Sequence, residues 1–480
     1  MRYIRVLFIV LCGVLSAESS TDSMDFRDIF DSADSTKSTQ PIESTESIDI
    51  KTAWHMVLDT SDALKAQELN TKRAEKLSLG SKLSFLPEIN AKIAYLHLDK
   101  PIEASITQTN IPKSSLATLP PQMLPLLSSL GAPIHLVNQN VMIGALNIIY
   151  PLYVGGARYR AIKIADIAKK DAKEAYRLKT LATFEELVGI YYAEVLAKEV
   201  AEVLAQIKDG TALHYHNALD LEKSGQIAHI EVLGAQVADD KAQSKLKESK
   251  NALDIASLAL QTALSKDNIT SVSALAISDK SFESEEYYVA RALEAYPALR
   301  SLELKIDSAK QAKKLAIAPF LPQVVGMGSY FFTDSQKSLL TQNIPTWYVG
   351  VMANVSILTS SARIQKYQAA KITQLELESL KAQAKKDLTL LVRKTYKQAV
   401  YARDEYHSLQ SSIALARENL KLQQQAFKQG LATSAQVIDA QNTLQSALIE
   451  QKTICYKAIV ALAKLLALSD DIESFYEFQH

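Results

Sequence analysis

The sequence predicts a mainly α-helical, internally duplicated chain that lends four strands to a membrane β-barrel. Three observations predict it: turn residues are scarce, matching segments recur at a constant spacing, and short stretches alternate apolar with polar residues. The 480 residues include only 14 Gly and 13 Pro, so long uninterrupted elements are expected. Lys and Arg total 53 against 53 Asp and Glu, which removes the basic footprint of a nucleic-acid binder. Two cysteines, Cys12 and Cys455, cannot build a disulfide scaffold.

The chain opens on an export signal. Arg2 and Arg5 accompany an apolar stretch ending at Leu15, and Val14-Leu15-Ser16-Ala17 offers small residues for cleavage, which assigns residues 1–17. That stretch falls short of the roughly twenty apolar residues a spanning helix needs. Cys12 sits inside it behind Val10 and Leu11 rather than small residues, which argues against lipidation. Residues 18–48 are then mostly Ser, Thr, Asp and Glu, with Arg27 and Lys37 the only basic side chains. Such a segment buries too little apolar surface to offset its ordering entropy, so a disordered acidic leader is expected.

The body is written twice. Lys223-Ser-Gly-Gln-Ile-Ala-His-Ile-Glu-Val-Leu-Gly-Ala-Gln236 matches Lys428-Gln-Gly-Leu-Ala-Thr-Ser-Ala-Gln-Val-Ile-Asp-Ala-Gln441 at an offset of 205 positions. The same offset pairs Ala157-Arg158 with Ala362-Arg363 and Tyr191 with Tyr396. Upstream, Phe85-Leu86-Pro87 matches Phe320-Leu321-Pro322 at an offset of 235. Constant offsets over this span indicate duplication, with the first repeat at 49–283 and the second at 284–468, followed by a C-terminal tail at 469–480.

Each repeat orders its elements alike: helix, β-hairpin, very long helix, Gly turn, long helix. The hairpins are expected at 87–153 and 322–358. Ile89, Ala91, Ile93 and Tyr95 alternate with Glu88, Asn90 and Lys92, and Trp347, Val349, Val351, Ala353, Val355 and Ile357 alternate with Tyr348, Asn354 and Ser356. Aromatic residues collect near these segments, as at the interfacial girdle of a lipid-facing barrel. The extra thirty residues of the first repeat form a long loop at 99–139. Residues 114–157 carry no charge, but Pro120, Pro121, Pro125, Pro133 and Pro151 interrupt them, which excludes a spanning helix. From Ala157 to Lys223 there is no Pro, and Leu181, Phe184, Val188, Tyr191 and Val195 recur at the spacing of a coiled-coil seam. Such a helix reaches about 100 Å. Four strands cannot close a barrel, because single-chain barrels begin at about eight, and open edges are not tolerated in lipid. Several protomers must therefore share one.

With Pro151-Leu-Tyr-Val-Gly-Gly-Ala-Arg158, Leu86-Pro87, Leu321-Pro322, Ala292-Leu-Glu-Ala-Tyr-Pro-Ala-Leu-Arg300, Ala416-Arg-Glu-Asn-Leu420, Lys428-Gln-Gly430 and Val437-Ile-Asp-Ala-Gln441 in order over about 50–465, the chain resembles the TolC-like outer-membrane efflux proteins. That resemblance implies a homotrimer, four strands from each protomer in a twelve-stranded barrel, and a helical tunnel running into the periplasm of a Gram-negative bacterium. It implies a passive conduit for small molecules or proteins, an efflux or type I secretion channel working with a periplasmic adaptor and an inner-membrane transporter. The Gly turns near 225 and 430 become adaptor-docking tips, comprising Lys223, Ser224, Gly225 and Gln226, and Lys428, Gln429, Gly430 and Leu431. Asp439 and Glu231 match acidic positions of the periplasmic gate, and Gln436 replaces another. Pro151, Gly155, Gly156, Arg158 and Arg363 mark the strand-to-helix motif. The family's gating tyrosine is Phe427 here, and an arginine of the tip is Ala432.

Enzymatic and metal chemistry find no support. His214 and His216 lie at i,i+2 on different helix faces, a poor metal arrangement, and the histidines, His229 included, are expected as exposed helix residues. No phosphate-binding loop appears, no cofactor is implied, and transport energy must come from a partner. The competing reading is an exported periplasmic coiled-coil scaffold or adaptor without a barrel, which leaves the paired hairpins and their aromatic clusters unexplained.

Overall fold

The computed structural model describes residues 46–104, 134–137, 139–278, 280–333, 345–358 and 362–478. The expected signal at 1–17, the leader up to residue 45 and most of the 99–139 loop lie outside the described residues.

The last residues of the expected leader, Glu46–Ile48, are ordered, against what their composition implies. Strand β1 (Glu46–Ile48) pairs in parallel with β6 (Ile269–Ser271). Ile48 is buried there, and one apolar side chain with a strand partner outweighs the polar residues before it. Helices α1 (Ile50–Thr60) and α2 (Asp62–Leu83) follow, capped by Asp49 accepting from Thr52 N and Ser61 accepting from Leu64 N.

Strands β2 (Glu88–His97), β5 (Asn140–Val154), β7 (Gln323–Thr333) and β8 (Trp347–Asn354) form one antiparallel sheet in the order β2-β5-β7-β8. A separate pair, β3 (Ile102–Ala104) with β4 (Ile134–Val137), extends the first hairpin beyond the sheet. The alternation over 347–357 overstates β8, which ends at Asn354. Arg363 takes the carbonyls of Ser356 and Ile357 as acceptors, so the backbone there serves a turn instead of the ladder.

Two helical hairpins continue from the sheet. Helix α3 (Ala157–Lys223) leads to α4 (His229–Leu264), and α7 (Arg363–Lys428) leads to α8 (Ser434–Leu468). At 67 and 66 residues, α3 and α7 are each about 100 Å long. Leu181, Phe184, Val188, Tyr191 and Val195 are all buried, so the seam faces a core. Between the hairpins, α5 (Glu285–Ala295) and α6 (Pro297–Leu315) pack onto the long helices.

The main core lies midway along the hairpins. Trp54 and Phe475 both meet Phe184 edge-on, at 5.2 and 5.4 Å between ring centres. Phe475 and Phe478 belong to a 3-10 turn, Ile472–Phe478, so the tail expected at 469–480 plugs this core instead. Glu194, 1% exposed, is fully engaged: its carboxylate accepts from Ser257, Thr270 and Ser271, the last through both backbone and hydroxyl. That satisfied charge anchors β6 to α3.

Candidate functional site

Directly opposed residues of antiparallel strands share a face, so the register sorts the sheet. One face collects Ile89, Ile93, Leu146, Tyr330, Trp347 and Val351, and the other Asn90, Lys92, Asn147, Ser329 and Asn354. Ser329 donates to Asn147 at 2.8 Å on the polar face. On the apolar face Phe332 lies across Gly144, where a Cβ would stand 2.0 Å from the ring, so no larger residue fits beneath it. Val349 and Val351 are more than two-thirds exposed in the protomer. Among the described residues no helix is long and apolar enough to cross a membrane.

Where the strands give way to helices, the two repeats use one chemistry. Arg158 donates to the Pro151 carbonyl at 3.0 Å and sits 5.4 Å from the Phe85 ring. Arg363 donates to the Ser356 carbonyl at 2.8 Å and sits 4.8 Å from the Phe320 ring. Each arginine thus bonds the carbonyl seven residues before it and covers the aromatic of the preceding Phe-Leu-Pro, a cation over an apolar face. Gly155 and Gly156 take left-handed φ values of 62° and 75°, and Gly155 approaches the Ala318 backbone. Pro151 lies at a bulge where β5 shifts register against β7, a place that tolerates a residue without an N–H.

The distal turns also begin alike. Gly225 and Gly430 adopt φ of 72° and 70°, and each turn closes with the same two bonds: Gly225 N to Glu222 O and Gln226 N to Leu221 O, against Gly430 N to Phe427 O and Leu431 N to Ala426 O. This is the paired-bond ending of a helix at a left-handed glycine. Lys223, Ser224, Gly225 and Gln226 are exposed, as are Lys428, Gln429, Gly430 and Leu431.

After the glycines the repeats part. The N-cap of α8 is Thr433, which accepts from Gln436 N while the Gln436 side chain accepts from Thr433 N, a complete capping box. Gln436 is therefore engaged in its own helix. The N-cap of α4 is Ala228, with no side-chain cap. Glu231, three residues on, instead reaches the other hairpin and accepts from Ser434 N at 2.6 Å. His214 of α3 meets the same residue, its Nε2 lying 2.7 Å from Ser434 Oγ, and its ring lies 4.6 Å from Phe427. The expectation of exposed histidines fails at His214, which is 4% exposed: it shares a buried stripe with Ile207, Thr211 and Ala218, out of register with the heptad at Leu181–Val195. Burial lowers its pKa, against the raising pull of Glu231. His229 is exposed and lies 2.7 Å from Glu222. Asp439 is exposed and stands apart from these contacts, its described bond being a backbone one to Thr443. Among the described residues no group of His, Cys, Asp or Glu could hold a metal.

The structure thus brings Glu231 and the start of α8 together and leaves Gln436 and Asp439 apart from that contact. Sequence reasoning missed His214, Ser434 and Thr433. One signal was available, since the two repeats carry Ala228 and Thr433 at the same position of the offset.

A family model described as outer membrane efflux protein matches residues 131–266 and 288–469. Protein CyaE of Bordetella pertussis is 22% identical over 343 residues, spanning 70% of this chain and 71% of that one. Among solved structures, CusC superposes with a TM-score of 0.71 at 15% identity, covering 90% of this chain and 95% of the other. The Campylobacter jejuni CmeC outer membrane channel gives 0.70 at 16% identity, over 90% of both chains. The Vibrio cholerae outer membrane protein VceC gives 0.69 at 12% identity, over 88% and 96%. The family model spans both helical hairpins.

Proposed function

The chain belongs to the outer membrane efflux protein family, and from that membership we propose that it assembles as a homotrimeric conduit across the outer membrane and the periplasm. The observation that carries this reading is the open four-stranded sheet with one apolar face, whose edge strands β2 and β8 have no further strand beside them among the described residues. In lipid those edges need strands from neighbours, and three copies of four strands give a twelve-stranded wall. The apolar face then meets lipid, and Asn90, Lys92, Asn147 and Ser329 line the lumen.

The long hairpins continue this wall as a tunnel. The family's efflux or secretion role makes the chain a passive passage for small molecules or proteins rather than an enzyme. Its exposed tips around Gly225 and Gly430 dock a periplasmic adaptor that links it to an energised inner-membrane transporter. Asp439 and Glu231 narrow the tunnel's periplasmic end, Asp439 by lining the lumen.

Two measurements test the reading. Outer-membrane fractions run without heating should show a band at the trimer mass that collapses to the monomer on boiling; a monomer under both conditions removes the shared barrel. Gly430→Trp should abolish adaptor cross-linking and efflux while the trimer persists. Normal efflux and cross-linking in that variant would take the docking role away from the tips.

A further inference from the structure

His214 is a buried titratable side chain set between the two helical hairpins. Its Nε2 is 2.7 Å from Ser434 Oγ, and Glu231 accepts from the backbone N–H of the same serine at 2.6 Å. Ser434, the first residue of α8, therefore takes both contacts from the first repeat. Beside them Ala218, Val232, Phe427 and Val437 form a small apolar cluster drawn from all four long helices. Further along, Thr211 donates to Asp239 within the first hairpin, and Gln441 Nε2 donates to the Ile207 carbonyl across the two. The polar contacts across the joint are few.

A neutral imidazole can either donate to or accept from the serine hydroxyl. An imidazolium must donate, and it sets a charge against Phe427 and the apolar cluster. The charged groups around it are few. Helix α4 presents Glu231 and, further on, Asp239, which Thr211 holds. Helices α7 and α8 present Phe427 and Ser434, which do not ionise in this range, and on α3 itself His216 is exposed. A protonated His214 also competes for the Glu231 carboxylate, drawing it from Ser434 N and weakening the contact that Glu231 makes across the hairpins.

We propose that His214 is a positioning residue that, when neutral, pins the second-repeat tip to the first and, when protonated in acid, lets the tips separate. The direction follows from burial, which lowers the histidine's pKa. A lowered value means that the joint has its full stability above the unfolded value of about 6.5. That stability is lost as pH falls through the folded value. Widening of the tunnel mouth rests on the proposed conduit; separation of the tips does not.

The test uses the full-length protein carrying Cys12→Ser, with spin labels on Lys223→Cys and Gln429→Cys, one at each tip. Cys455 is buried and its thiol is pushed up to about 12, so it stays unlabelled. Between about pH 7.5 and about pH 5, the interval in which histidine changes charge, the label separation should lengthen in the parent. His214→Gln, which keeps a neutral hydrogen-bonding group, should hold the short separation at both pH values. Ser434→Ala should show the long separation even at the higher pH. Conductance in planar bilayers should rise several-fold with acid in the parent and stay level in His214→Gln. An unchanged separation in the parent, or the same acid response in His214→Gln, overturns the proposal. A protein whose tips respond but which conducts no ions leaves the pin standing and removes the conduit.

Discussion

The two ends of the long hairpins handle the duplication differently. At the sheet end both repeats share one arginine device, with Arg158 and Arg363 bonding the carbonyl seven residues back and covering Phe85 and Phe320. At the distal end the glycine turns match bond for bond, yet the next helices start differently: Thr433 caps α8 with Gln436, whereas Ala228 leaves Glu231 free to bond Ser434. The repeats differ at the N-cap, Thr433 against Ala228, and three residues on, Gln436 against Glu231; one pair closes on its own helix and the other reaches the neighbouring hairpin. The sheet end needs two equivalent joints because both hairpins enter one wall. The distal end can use inequivalent ones, and the inequivalence adds the Glu231–Ser434 bond to the other contacts between the hairpins there.

The largest expected effect strikes the sheet. A charge at the apolar face costs about 2–4 kcal/mol near the bilayer midplane, so Val351→Arg should sharply lower trimer yield. Asn354→Arg, on the polar face, should leave most of it. Equal yields from Val351→Arg and the parent would deny that the two faces differ.

Next come the arginine joints. Hydrogen bonds to charged groups are worth about 1.5–3 kcal/mol. Arg158→Ala and Arg363→Ala should therefore both lower thermal stability, Arg363→Ala by more because it donates to three carbonyls and Arg158 to one, read from melting of the purified protein in detergent. A large loss in one and none in the other would break the equivalence of the sheet-end joints.

The cap difference should be smaller. Thr433→Ala removes a cap worth about 0.5–2 kcal/mol. Ala228→Thr should give α4 its own capping box and draw Glu231 away from Ser434. Hydrogen exchange at the Ser434 amide should quicken in Ala228→Thr, and in Glu231→Gln to a lesser degree. Unchanged exchange in both would show that Glu231 contributes nothing to the hairpin contact.

The smallest effect concerns Asp439, which takes no part in the hairpin contact. Asp439→Asn should leave stability unchanged and, if the proposed trimer sets Asp439 in a ring around the lumen, weaken cation selectivity in planar bilayers, since a ring of carboxylates attracts cations. Unaltered selectivity places Asp439 outside the lumen.

Much of this was legible in the residues. Scarcity of Gly and Pro and the heptad at Leu181–Val195 specify long helices with a buried stripe, because periodicity acts locally and a stripe of that width must be covered. The constant offset locates the duplication, and the alternation locates the strands, because register fixes which side chains share a face. The left-handed turns at Gly225 and Gly430 follow from local sterics. What composition misjudged was burial: Ile48 joins a strand despite its acidic neighbours, and Phe475 and Phe478 fill the core from what reads as a tail. Only the tertiary structure decided that His214 faces inward and that Glu231 serves a helix more than two hundred residues away. Those contacts depend on how two helical hairpins lie against each other, and no spacing within either one encodes that.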